Sequence, residues 1–302
     1  MDSILARNVI AAWGEAGRTF IERLPEIIDE TLREWRLTVE RPYAMTFHWV
    51  AAVRQADGTP AVLKLGPAGL ADTADEIAAL RHFDGVGAVR LLADDAALGA
   101  VLLERAEPGT MARSVVPARD LVATAALITV MRRLHRPATD DPALPDVLAR
   151  NRRSFVEHLA RYPGDEPFPR RLVTTALGLL AELGADPAPR VVLHGDLHHD
   201  NVLRAEREPW LAIDPHGVVG EPAAEVGALL YNPDPEIRDP ALVALVPSRV
   251  EQLADGLALP VERVVAWGFV QAVLSEVWTA ESAGAAVTRA LDVALALEPR
   301  LQ

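Results

Sequence analysis

Asp57-Gly58 separates two short apolar runs, His48–Val53 and Ala61–Leu65, and leaves the chain little choice there. Glycine tolerates positive φ, Asp-Gly is a preferred hairpin turn, and runs of this length suit strands. Leu37–Val39 before the pair, and Val89–Leu92 and Ala100–Glu104 after it, read as further strands. One short helix is expected among them, over residues 72–82, with Asp72 or Thr73 as its N-cap. The segment predicts a small antiparallel sheet with one helix packed on it.

Both flanks read differently. Residues 4–35 carry Trp13, Phe20, Leu24, Ile27, Ile28, Leu32 and Trp35 mostly at three- and four-residue spacing, with a break expected near Gly14 to Gly17. After Glu107-Pro108-Gly109 the spacing predicts helices over 117–135, 146–161, 169–184, 222–231, 239–256, 261–280 and 283–297. A second hairpin, Asn201–Arg204 with Trp210–Ile213, interrupts that run. Pro142-Ala143-Leu144-Pro145 and the stretch from Tyr162 to Pro167 read as loops. The expected fold class is α+β in two lobes: residues 1–105 with the sheet, and residues 106–302, mainly helical.

Half of the 302 residues are hydrophobic, enough for a sizeable core. A net charge of −13 argues against nucleic acid, which calls for clustered Lys and Arg. It serves solubility, or draws a cationic substrate. There is no cysteine, hence no disulfide and no thiolate chemistry. The N-terminus lacks the basic and apolar regions of a signal peptide. No apolar stretch reaches the roughly 20 residues of a membrane span. A cytoplasmic monomer is expected.

The chemistry concentrates in His194-Gly195-Asp196-Leu197-His198-His199-Asp200-Asn201 and, beyond the second hairpin, Ile213-Asp214-Pro215. Asp196, Asn201 and Asp214 together supply a carboxylate for an acceptor hydroxyl and two hard oxygen ligands for Mg²⁺. Protein kinases divide phosphoryl transfer from ATP among such a base Asp, an Asn and a second Asp. His194 suits a structural part that orders the loop, while His198 and His199 read as loop residues without chemistry. The hairpin brings Asn201 and Asp214 back to one edge. Three histidines among acids could instead suggest a metallohydrolase. That chemistry wants histidines at a fixed helical spacing, and none is evident here. A surface loop of unrelated polar residues is the remaining alternative.

Upstream, Lys64 is the one basic residue of its predicted strand, and Glu76 lies twelve residues on, in the short helix. Most strand lysines are solvated strand ends. A strand Lys paired with a helix Glu fixes an ammonium against ATP phosphates, and the downstream motif strengthens that reading. Leu102–Ala106 lies where sheet gives way to helices. Such a connection can offer the Glu104 carbonyl and the Ala106 amide to an adenine edge.

His-Gly-Asp-Leu-His-x-x-Asn followed by Ile-Asp resembles the aminoglycoside phosphotransferases, which have a protein-kinase-like two-lobed fold. Trp35-Arg36-Leu37, Ala61–Leu65, Glu76–Leu80, Gly85–Leu92, Leu102–Arg105 and Ile213–Pro215 are similar to the streptomycin 6-kinase branch, also called the aminoglycoside/hydroxyurea resistance kinases. The resemblance implies Asp196 as catalytic base, Asn201 and Asp214 as Mg²⁺ ligands, Lys64 as the phosphate-binding lysine and Glu76 as its partner. Two departures stand out. Pro42–Phe47, between the first two strands, has no glycine, where glycine normally lets backbone approach phosphates. Glu221 and Glu225 fall where the family more often has aspartates.

The resemblance implies ATP, Mg²⁺ and a polycationic acceptor, most specifically streptomycin. One ion pair at about 4 Å is worth on the order of 4 kcal/mol before desolvation, at an effective dielectric near 20. Asp200, Glu221, Glu225 and Glu276 are the candidate acceptor contacts, with Asp234 and Glu281 behind them. Trp278 reads as a core residue more readily than as a stacking platform. A kinase of another small alcohol, and a kinase-like ATP-binding protein without turnover, are the rival readings.

Overall fold

The computed structural model describes residues 3–138, 144–186, 188–283 and 287–301. Helix α1 (Ser3–Glu34) bends where Gly14 takes a φ of 55°, a left-handed conformation that glycine adopts without a Cβ clash. Strands β1 (Thr38–Pro42), β2 (Trp49–Arg54), β3 (Pro60–Leu65), β4 (Leu91–Asp95) and β5 (Ala100–Glu104) form one antiparallel sheet in the order β1-β2-β3-β5-β4. Helix α2 (Ala71–Phe83) lies between β3 and β4 in the chain.

The remainder is mainly helical: α3 (Asp120–Leu134), α4 (Val147–Arg161), α5 (Arg170–Ala185), α6 (Gly227–Tyr231), α7 (Pro240–Val243), α8 (Val246–Leu257), α9 (Val261–Ala283) and α10 (Arg289–Leu297). Its strands are short. β8 (Val202–Ala205) is flanked by β6 (Pro108–Met111) and β9 (Trp210–Ala212), and β7 (Val191–Leu193) pairs with β10 (Val218–Gly220). The chain thus leaves the five-stranded sheet at Glu104 and begins pairing with β8 at Pro108. No helix among the described residues is long and apolar enough to cross a membrane.

Strand parity decides which face of the sheet does what. Along β3, Ala61, Leu63 and Leu65 point to one side, where they pack with Leu5, Val9, Phe20, Leu24 and Ile27 of α1. Val62 and Lys64 must then point to the other side. That side joins Ile77, Leu80 and Phe83 of α2 to the large helical core. Lys64 therefore leaves the sheet toward α2, in a wall that is otherwise apolar.

Several boundaries differ from expectation for local reasons. Helix α2 starts at Ala71 with Leu70 as N-cap and no side-chain cap, correcting Asp72 or Thr73. Asp72 sits in the first turn, where its charge suits the helix N-terminus. β4 starts later than Val89, because Ala88 and Val89 pair with Ala212 of the second hairpin instead. The helix expected over 239–256 divides into α7 and α8. Pro247 stands in the first turn of α8 and has no N–H to continue the ladder from α7. The stretch 222–231 begins as a 3₁₀ turn, Pro222–Glu225, before α6. Pro142 and Ala143 of one expected loop, and residues 284–286 at the start of the last expected helix, lie outside the described residues. β6 and β10 were not anticipated; each is a short strand without its own alternating pattern.

Candidate active site

Lys64, Glu76 and Asp214 meet although they are far apart in the chain. Lys64 Nζ donates to Glu76 Oε2 at 2.7 Å and also to Asp214 Oδ1. Burial alone would lower the Lys64 pKa; Glu76 and Asp214 outweigh it and hold the ammonium charged. Burial pushes the Glu76 carboxyl up, with Lys64 pulling against it. The Lys64 charge holds Asp214 well below the usual carboxylate range. Lys64 and Glu76 are buried, whereas the Asp214 side chain is 53% exposed.

The loop that carries the motif is clasped at one residue. His194 Nε2 donates to the Ile213 carbonyl at 2.8 Å, and its own carbonyl accepts from His216 N and Gly217 N at 2.8 and 3.0 Å. Its Nδ1 accepts from Asp196 N at 3.3 Å, so the ring proton belongs on Nε2. Burial lowers its pKa and keeps it neutral. His194 thus ties the motif to the Asp214 turn, the ordering part expected of it. Asp214 itself has a φ of 59°, a left-handed conformation uncommon outside glycine and concentrated at functional sites.

Asp196 projects from this loop with a side chain 32% exposed. His198 Nε2 and His216 Nε2 lie 3.5 and 3.9 Å from its Oδ2. Burial would raise the Asp196 pKa, but these histidines hold it below its ordinary value. His198 also lies 3.6 Å from Asp200 Oδ2. Burial alone would lower the His198 pKa; Asp196 and Asp200 override it and push it up to about 9. That corrects the expectation that His198 is a bystander. His199 is fully buried, and burial lowers its pKa.

Asn201 Nδ2 donates to the Asp196 carbonyl at 3.0 Å and lies 3.2 Å from His198 Nε2. The bond to the Asp196 carbonyl holds the Asn201 side chain against the motif loop. The Ile213 amide donates to the Asn201 carbonyl at 3.0 Å, so the hairpin holds Asn201 beside the Asp214 turn. Asn201 Oδ1 and the half-exposed Asp214 carboxylate are hard oxygens of the kind that suit Mg²⁺, which takes one or two protein oxygens and completes its shell with phosphate and water. Among the described residues no three His, Asp or Glu side chains form a metal cage, so the metallohydrolase reading finds no ligand set.

Glu104 and Ala106 line a cavity of about 320 Å³ with Arg105, Glu107, Arg90 and Arg207. Arg207 Nε and Nη2 both donate to the Glu104 carboxylate at 2.8 Å, pinning the connection between the two halves. A larger cavity, about 650 Å³ between Arg238 and Asp292, lies among the helices and holds none of these groups.

The four candidate acceptor contacts separate. Asp200 stays beside the motif, 3.1 Å from Arg113 Nη1. The other three carboxylates are occupied inside the fold, which corrects the expectation that they face an acceptor. Glu221 accepts from Arg263 Nη2 at 3.0 Å and Trp267 Nε1 at 2.5 Å. Glu225 accepts from His194 N at 2.6 Å and Gly195 N at 2.9 Å, fixing the start of the motif loop. Glu276 accepts from Thr288 N and Leu291 N at 3.0 and 3.1 Å and from Thr288 Oγ1, anchoring the start of α10.

His48 was not singled out, yet it lies at the glycine-free loop's end. Trp49 opposes Leu65, so His48 falls on the cleft side with Lys64. Its ring packs over Gly66, where a Cβ would come within 2.6 Å of it. Burial and the Lys64 charge lower its pKa to about 3. Register counting from Asp57-Gly58 would have found it.

Solved structures share this architecture. Choline kinase LicA from Streptococcus pneumoniae superposes with a TM-score of 0.65 at 14% identity, covering 92% of this chain and 99% of that one. LicA in complex with AMP gives a TM-score of 0.60 at the same identity, covering 91% and 97%. The fold is kinase-like. Residues 35–283 match the family described as aminoglycoside/hydroxyurea antibiotic resistance kinase. Streptomycin 6-kinase of Streptomyces glaucescens is 34% identical over 94% of this chain and 92% of that protein. Hydroxyurea phosphotransferase of Kitasatospora aureofaciens is 36% identical over 89% and 76%. The chain belongs to the aminoglycoside/hydroxyurea antibiotic resistance kinase family, and it is a phosphotransferase acting on a hydroxyl group.

Proposed function

We propose that this protein transfers the γ-phosphoryl group of ATP to a hydroxyl of an aminoglycoside, with streptomycin as the acceptor. The observation that carries the reading is the convergence of Lys64, Glu76 and Asp214 beside Asn201 and Asp196. Streptomycin is supported by the streptomycin 6-kinase relative, and nucleotide use by the AMP bound to LicA. The hydroxyurea phosphotransferase relative supports a second acceptor class, a small neutral N-hydroxy compound.

Each residue then has a task. Glu76 holds Lys64 extended, so that the ammonium meets the nucleotide phosphates. Asn201 Oδ1 and the Asp214 carboxylate would hold Mg²⁺. When bound, Mg²⁺ would supply positive charge to offset the charge developing on the departing ADP. Asp196 accepts a hydrogen bond from the acceptor hydroxyl, orients it for in-line attack and receives its proton. Its low pKa keeps it an acceptor at neutral pH. His194 and Glu225 hold the loop that aims it.

A coupled ADP-release assay with streptomycin, hydroxyurea and a panel of other small alcohols tests the reading. Streptomycin-dependent ADP release is the expected result. Release with another acceptor and not with streptomycin would replace the acceptor; ATP binding without release for any acceptor would leave a kinase-like binding protein.

A further inference from the structure

Arg150, on α4, is a half-buried charge that the proposed chemistry leaves unused. Its guanidinium lies 5.4 Å from the centroid of the Trp278 ring. Its Nε is buried with no hydrogen-bond partner among the described residues. None of their carboxylates forms an ion pair with it, although it lies within electrostatic reach of Asp196 of the motif loop, Glu225 behind that loop, Tyr231 of α6 and Asp75 of α2. Glu225 already serves two backbone amides. Trp278 is fixed by its Nε1 donating to Ser154 Oγ at 3.3 Å, and it stays 37% exposed.

A half-buried, unpaired guanidinium is costly to keep unless something bound to the protein uses it. Lying against the indole, it keeps a rigid fork of N–H donors to offer, with no acceptor capacity of its own. Its complement is an oxygen: a carbonyl, an ether or a hydroxyl. Asp196, alongside, takes a hydroxyl proton. The two side chains together describe an acceptor with a reacting hydroxyl and a hydrogen-bond-accepting oxygen close to it.

We propose that Arg150, carried on Trp278 beside Asp196, is a specificity residue that donates hydrogen bonds to an oxygen of the acceptor adjacent to the hydroxyl being phosphorylated. The inference rests on the kinase reading and adds which part of the acceptor the protein reads. Steady-state kinetics of Arg150→Met and Arg150→Lys, with streptomycin and hydroxyurea as probes, tests it. Removing a charge-assisted donor raises the acceptor KM about tenfold or more in Arg150→Met. The KM for ATP stays within about twofold, and Arg150→Lys recovers part of the loss because it keeps the charge without the fork. A melting curve confirms that both variants are folded; should Arg150→Met not fold, Arg150→Lys reads a smaller rise of the acceptor KM in the same direction. An unchanged acceptor KM would overturn the proposal. So would a lower one, which would mean that Arg150 merely repels cations, or a KM for ATP that rises in step, which would put it on the phosphates. Turnover of neither probe by the unsubstituted protein sinks the kinase reading, and this inference with it, without reference to Arg150.

Discussion

Lys64, Glu76 and Asp214 come from a strand, a helix and the turn after a hairpin, and they meet within bonding distance. Glu221, Glu225 and Glu276 all come from the helical half, and each has its carboxylate occupied by its own fold. The first group forms the phosphate side of the proposed cleft; the second was expected to form the acceptor side. The difference is one of chemistry. Phosphates are the same in every ATP, so the residues that meet them come in fixed types at fixed places. An acceptor varies, and a carboxylate that could bind its cations cannot be told in sequence from one that caps a helix or clasps a loop. The acceptor contacts proposed above fall instead on Arg150 and Trp278, which no acidic pattern reveals.

The sharpest way to break this comparison is Asp196→Ala, since Asp196 belongs to both sides. Losing the group that orients the acceptor hydroxyl costs a factor on the order of 10³ in kcat, with little change in KM for ATP. ADP release at the unsubstituted rate would remove Asp196 from the chemistry. Lys64→Met comes next. It takes an ammonium from the phosphates and leaves Glu76 buried without its cation. It is expected to lower kcat/KM for ATP on the order of 10²-fold and to destabilise the fold by about 3 kcal/mol or more. A melting curve unchanged from the parent would mean that the Lys64–Glu76 contact adds nothing to stability.

How far the sequence revealed the molecule follows the same line. The β2–β3 hairpin was legible because Asp57-Gly58 and the flanking apolar runs agree at the level of single residues. The β3 lysine was legible because a charge interrupts that run. β6 and β10 were not, because a strand of three or four residues takes its identity from the partner it pairs with. The start of β4 slipped because Ala88 and Val89 pair with Ala212, a contact between residues far apart in the chain. His198 was set aside because a histidine between two aspartates gains its meaning only when the loop brings them to 3.5 and 3.6 Å.

Glu276→Gln separates the two sides from the other direction. Glu276 is fully buried and anchors the start of α10 through Thr288 and Leu291. Weakening those bonds is expected to cost about 1–3 kcal/mol of stability and to leave the acceptor KM unchanged. A raised acceptor KM in a protein of parental stability would return Glu276 to the acceptor side and undo the contrast drawn above.

The smallest effect is expected at His48, where the phosphate side meets the glycine-free loop. Its folded pKa is about 3, against an ordinary value of 6.5. A histidine with a depressed folded pKa binds its proton in the unfolded chain first. Its contribution is therefore neutral above about pH 6.5, and stability is lost as the pH falls from 6.5 toward 3. His48→Gln keeps a polar side chain near Gly66 and removes that titration. Denaturant melts between pH 7 and pH 4 should show the variant losing less stability than the parent. Because His194 and His199 are also buried with lowered pKa values, the variant removes only one share of the acid sensitivity. Parallel curves for the two proteins would place His48 in water, away from Lys64. The phosphate side would then end at Lys64 and leave the loop out.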